Sequence, residues 1–199
     1  MSFNDAYKRW HKPEQNIYDV DGKLKKGKTH QGYYTVQHPE KYIGTLSLVI
    51  FRSSLELAFL RWCDFSPSIV KFSSEPIKIP YYDKVSKLEE CKKYGLNPND
   101  PKNWVIKNYN VDFWILMKKG DIEEKWLVEV KPSEKLKKPI PLSENASLKE
   151  QKRFNIVARE YLINEAKFAA IKAFVEKNNA KFFIFTEKTL RSVAGKFMI

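Results

Sequence analysis

Cysteine is almost missing from this 199-residue sequence. The two present, Cys63 and Cys91, stand apart, with no histidine near them at zinc-ligand spacing. A disulfide-stapled scaffold and a zinc ribbon are thereby excluded, and the pair reads as free thiols of a reducing compartment. Histidine is as scarce: His11, His30 and His38 all fall early in the chain, away from every other candidate group, which excludes a histidine-built metal centre. No apolar run approaches the roughly 20 residues that a membrane-spanning helix needs. The opening residues MSFNDAYKRWHKPEQ hold no apolar core of the signal-peptide kind, so no secretory leader and no membrane partner are expected. Acidic residues are also in deficit, with 24 Asp and Glu against 36 Lys and Arg and a net charge of +12. That imbalance calls for an anionic partner, nucleic acid first.

What is present is enough for one ordinary domain with its own core, at 43% hydrophobic and 30% charged residues. Residues 1 to about 45 are polar and lysine-rich, with Lys23, Lys25, Lys26 and Lys28 clustered around two glycines. They read as a basic N-terminal arm ahead of a domain over 46–199. Ser53 or Ser54 can cap a helix in which Leu55, Phe59 and Trp62 recur at core spacing. Glu56 falls in its first turn, where a carboxylate complements the helix dipole, and Arg52, one turn before it, is placed to pair with it. Extended pieces follow at 69–72 and 77–81. Residues 84–107 read as a loop inserted between strands, with a short helix around Leu88 and Cys91. Lysines at 135, 137, 138, 149 and 152 with Arg153 read as a basic loop over 133–153. A helical period then runs from Phe154 to Asn178. Lys181–Thr186 reads as a strand buried on both faces, and Glu187 opens a last short helix.

The chemistry concentrates between Tyr109 and Pro132. Two apolar strands, 111–117 and 125–131, are joined by Lys118-Lys119-Gly120-Asp121, a turn whose glycine can take positive φ. Side chains two residues apart on a strand share a face, so Glu129 and Lys131 point the same way. The hairpin brings Asp112 beside Glu129 across 129 − 112 = 17 residues of chain. Two carboxylates side by side repel, and a carboxylate in an apolar strand is costly unless it is paired or holds a metal. Asp112, Glu129 and the carbonyl of Val130 can hold a divalent ion, and an all-oxygen donor set suits Mg²⁺ or Mn²⁺. The plain alternative is a half-buried hairpin whose Glu129 and Lys131 simply face water.

The D-x(n)-E-x-K spacing resembles the core of the PD-(D/E)XK nuclease superfamily. Further text adds to the likeness: Phe51-Arg52-Ser53-Ser54, Glu56, Arg61-Trp62-Cys63-Asp64, Phe72-Ser73-Ser74-Glu75 and Ile79-Pro80-Tyr81. With Gly32-Tyr33-Tyr34 and Pro39 to Gly44 upstream, and Phe185-Thr186-Glu187-Lys188 downstream, they resemble the head-completion nucleases of T4-like tailed phages over roughly residues 30 to 190. More distantly they resemble the TnsA-type transposon endonuclease domain. Two departures stand out: Val111 replaces the proline before the aspartate, and the 84–107 segment is long.

The resemblance implies an α/β fold, a restriction-endonuclease-like PD-(D/E)XK core with a mixed central sheet flanked by helices. It implies a Mg²⁺-dependent endodeoxyribonuclease acting on phage DNA at head completion, in the host cytoplasm or with the virion, beside phage head or neck proteins. Carried across residue by residue, Glu56 matches the helix acid that completes the metal shell, Asp112 the central ligand, Glu129 the second ligand and Lys131 the catalytic lysine. Arg52, Lys135, Lys137, Lys138, Lys152, Arg153 and Lys167 are the candidate DNA contacts, expected to grip phosphate and not to read bases. The rival expectation is a catalytically silent DNA-binding virion or neck protein that keeps the fold and the basic surface.

Overall fold

The structure, a computed structural model, describes residues 31–197. Most of the basic arm, with its lysine cluster, His11 and His30, lies outside the described residues. From residue 32 the chain is built into the fold. A short strand β1 (Gly32–Tyr33) pairs antiparallel with β2 (Ile50–Phe51). Helix α1 (Ser54–Phe65) follows, then strands β3 (Ile69–Ser74) and β4 (Lys78–Asp83), helix α2 (Leu88–Tyr94), and strands β5 (Val105–Asn110), β6 (Phe113–Lys119) and β7 (Ile122–Val130). The 30-residue helix α3 (Leu148–Lys177), strand β8 (Lys181–Phe185) and helix α4 (Glu187–Ala194) complete it.

The central sheet has the order β3-β6-β7-β8, with β3, β6 and β7 antiparallel and β8 parallel to β7. Strand alternation divides its two faces. Phe113, Ile115, Val128 and Val130 pack on α1 and α4 around Phe59, Leu60, Trp62 and Leu190. Leu127 looks the other way, toward Phe168, Ile171 and Val175 of α3. Glu129 and Lys131 share Leu127's parity and so belong to the α3 side. The mixed sheet flanked by helices is the architecture the sequence implies.

Several local expectations need correction. Residues 105–107 are not loop: they open β5, which pairs with β4 along its whole length, Lys78 opposite Asn110 and Asp83 opposite Val105. The two form a separate ribbon packed on α3 instead of joining the central sheet. Strand β8 is not buried on both faces; it is an edge strand, with Lys181 exposed and only Phe185 fully buried. The basic stretch ends at residue 147, because α3 starts at Leu148. Ser147 accepts from the Glu150 backbone N–H while Glu150 accepts from the Ser147 N–H, a capping box that places Lys149, Lys152 and Arg153 on the helix. Arg52 does not pair with Glu56 through its guanidinium; it pairs with Glu75. The turn behaves as expected: Lys119 pairs with Ile122, and Gly120 between them has φ 64°.

The segment before α1 is held by one buried acid at that helix's end. Asp64 accepts from the Tyr34 hydroxyl at 2.6 Å and from the backbone N–H groups of Gln37 at 2.7 Å and His38 at 2.9 Å. Lys41 donates to the carbonyls of Cys63, Asp64 and Ser66 at 2.7, 2.7 and 2.8 Å, a cation set against a helix C-terminus. Asp64→Ala leaves three donors unpaired. It is expected to destabilise the protein by about 3 kcal/mol or more, read as a lower urea midpoint, with residues 34–41 losing amide protection first.

Candidate active site

The four motif residues arrive from three elements at one end of the sheet. Asp112 sits in the bend before β6, not within the strand. Its backbone carbonyl accepts from the Glu75 N–H at 2.8 Å, and its Oδ2 accepts from the Val130 N–H at 2.8 Å. That second bond ties the aspartate to the last residue of β7, next to Glu129. Lys131 follows immediately, and its N–H donates to the Phe185 carbonyl of β8 at 2.9 Å. The Lys131 ammonium lies 2.5 Å from Glu129 Oε1 and 5.6 Å from the Phe168 ring centre on α3.

Glu56 comes in from the first turn of α1. Its Oε2 accepts from the Arg52 N–H at 2.7 Å and its Oε1 from the Ser53 hydroxyl at 3.0 Å, while the Ser53 hydroxyl caps the Glu56 N–H at 3.1 Å. The helix-capping role of Glu56 is therefore real. It does not remove the residue from the site, because its charge bears on both Asp112 and Glu129.

Electrostatics show how crowded these acids are. Burial, then the neighbouring Glu56, pushes the Asp112 carboxyl up to about 7, against the opposing pull of the Val130 N–H and Lys131. Burial also raises Glu129, with Lys131 and Lys167 pulling it back, and burial raises Glu56. Glu129 Oε2 is buried with no hydrogen-bond partner. An orphaned carboxylate oxygen is costly and calls for an explanation. No group of three or more His, Cys, Asp or Glu side chains among the described residues is arranged so that it could hold a metal ion. The fit of a divalent cation rests instead on the donor chemistry: an unpartnered buried oxygen on Glu129, and an aspartate raised by burial and by a second acid. A hard cation relieves both.

The candidate DNA contacts divide by place. Arg52, half-exposed, is held by Glu75 beside the acids. Glu75 itself adopts the left-handed conformation, φ 48°, costly for a side chain with a Cβ. Lys167 on α3 rests over the ring of Tyr109, 4.7 Å from its centre; burial and then Lys131 hold its ammonium below its ordinary range. Lys135, Lys137 and Arg153 line one cavity of about 280 Å³ with Glu160, to which Lys135 is paired at 2.6 Å. Lys138 and Lys152 are exposed. The Ser53 cap was legible in the sequence; Glu75 and the Ser133–Glu187 contact had no role assigned from it. Ser133 donates to Glu187 through both its N–H, at 2.8 Å, and its hydroxyl, fixing the chain just past Lys131 and holding the Glu187 carboxyl down near 2.

A family model described as TnsA-like endonuclease N terminal matches residues 66–187, a span containing Asp112, Glu129 and Lys131 and beginning after Glu56. The chain is also 26% identical over 167 residues to the head completion nuclease of Enterobacteria phage T4, an alignment covering 84% of this chain and 97% of that protein. With a restriction-endonuclease-like sheet, and with an aspartate tied by hydrogen bond to the strand that carries E-x-K, the chain belongs to the TnsA-like endonuclease N-terminal family.

Proposed function

We propose that this protein is a divalent-metal-dependent DNA endonuclease that hydrolyses phosphodiester bonds, acting on phage DNA at head completion. The observation that carries the reading is the hydrogen bond from the Val130 N–H to Asp112, which sets that acid against Glu129 and the Lys131 ammonium. Asp112, Glu129 and the Val130 carbonyl would hold Mg²⁺ or Mn²⁺, with Glu56 reaching the ion through a bound water. The ion supplies Lewis acidity and a more acidic bound water.

The chain's own groups do the rest. Glu129 fixes Lys131 through one N–H, leaving the ammonium's other protons free to orient the attacking water and to steady charge growing on the phosphate oxygens. Arg52 and Lys167 flank the acids and suit phosphate more than any base edge. The partners proposed are DNA and the head or neck proteins of the virion, with the protein working in the infected host's cytoplasm or carried on the particle.

Supercoiled and linear DNA incubated with Mg²⁺, Mn²⁺ or EDTA test the reading. Nicking and linearisation with either metal, absent in EDTA, are expected. DNA bound tightly but left uncut by every metal would favour the silent virion protein.

A further inference from the structure

The β4–β5 ribbon has two unlike faces. Inward, Ile79, Tyr81 and Tyr109 pack on α3. Outward, Tyr82 and Ile106 stand directly opposite each other in register, and they are 55% and 66% exposed. The Tyr82 ring meets the Trp104 indole edge to face, with centres 5.9 Å apart, and the Lys84 ammonium lies 4.1 Å over that indole. The indole N–H donates to the Pro98 carbonyl at 3.1 Å, which fixes the ring's plane. Lys78 stands at the other end of the same face. It pairs with Asn110, two residues before Asp112. Four residues of strand, roughly 13 Å, separate that end from Tyr82 and Ile106. None of these outward side chains is acidic, and exposed Tyr82 and Ile106 beside the half-exposed Trp104 make an apolar patch facing water, which marks a surface with a partner.

We propose that the outer face of the β4–β5 ribbon is a stacking platform for an unpaired DNA strand passing from the candidate active site, with bases laid on Tyr82, Ile106 and Trp104 and phosphates met by Lys78 and Lys84. The proposal rests on the nuclease reading and names the form of DNA that this site takes. Base faces are open to stacking only where the strand is unpaired, and aromatic side chains flanked by cations accept any base sequence. An intact duplex offers such a ribbon only its phosphates, which would leave Tyr82 and Ile106 without a role. A protein partner would cover the same aromatics but gives no reason for a cation at each end and no acid between.

The test is fluorescence anisotropy of the full chain in EDTA. The labelled DNAs are a blunt duplex of about 20 base pairs and the same duplex carrying a 3′ or a 5′ overhang of about six nucleotides. The wild-type protein is expected to bind one overhang duplex at least about fivefold more tightly than the blunt one. Tyr82→Ala with Ile106→Ser is expected to erase that gain and leave blunt-duplex affinity, metal-dependent cutting of blunt duplex and Tm unchanged; Tyr82→Trp is expected to keep it. Equal wild-type affinity for all three DNAs overturns the proposal. So does a double variant that keeps the gain, loses blunt binding in parallel, or breaks up a wild-type dimer on gel filtration. The nuclease reading fails separately, if DNA is bound and never cut, because the overhang comparison uses no metal.

Discussion

Asp112→Asn is expected to abolish DNA cleavage and, in metal-free buffer, to make the protein more stable. The loss follows from the place of Asp112 among the acids that would hold the ion. An ion's stabilisation of a phosphoryl transition state is several kcal/mol, so the rate should fall by roughly 10³-fold or more. The gain follows from the carboxyl being raised to about 7 by burial and by Glu56. Between pH ~4 and ~7 the folded chain holds a proton that the unfolded chain has released, so stability falls as pH rises through that window. Three pH units correspond to at most about 4 kcal/mol, less where residual solvent contact screens the charge. Asparagine carries no charge to bury and keeps an oxygen for the Val130 N–H. Urea titrations in EDTA from about pH 4 to pH 8 should show a falling midpoint for the wild type and a flatter, higher one for the variant. A variant no more stable than wild type at the alkaline end would contradict the buried, crowded aspartate.

Lys131→Met should damage both chemistry and fold, and the two effects are separable. Cleavage is expected to fall by about 10² to 10⁴, because the Lys131 ammonium is the cation held directly on Glu129. Stability should fall as well, by about 3 kcal/mol at neutral pH, since a buried carboxylate loses the one hydrogen-bond partner it has among the described residues. Without the lysine the Glu129 carboxyl rises further, so the deficit should shrink as pH drops and Glu129 takes up a proton. Adding Glu129→Gln to Lys131→Met should restore most of the stability and none of the activity. If the double variant is as unstable as the single, the lysine serves packing against Phe168 more than the carboxylate.

Where the sequence reading succeeded, local pattern and tertiary role coincide. The β6–β7 hairpin alternates because one face meets α1 and the other α3, and its Gly120 turn leaves little freedom of register. Where it fell short, the deciding contact is distant or the pattern is hidden. β5 has no clean alternation, with Val105 beside Ile106 and Lys107 beside Asn108, and only its register with β4 makes it a strand. The first turns of α3 bury nothing: its fully buried residues begin at Asn164, so no apolar period announces Leu148–Arg153. The Ser147–Glu150 box was the available signal. The left-handed turn at Glu75 cannot be read from a glutamate, yet it delivers both the partner of Arg52 and the N–H that anchors the Asp112 carbonyl. The convergence of Glu56 with Asp112 needs the whole sheet in place.

The tether behind Lys131 has a consequence for synthesis. Lys131 hydrogen-bonds to Phe185, and Ser133 to Glu187, so the lysine's direction depends on residues more than fifty positions later. A chain still emerging from the ribosome carries all three acids and the lysine long before the strand that aims the lysine has left the exit tunnel. On the nuclease reading, such a chain has the four side chains without their working arrangement, and any cutting of DNA waits for residues 185–187.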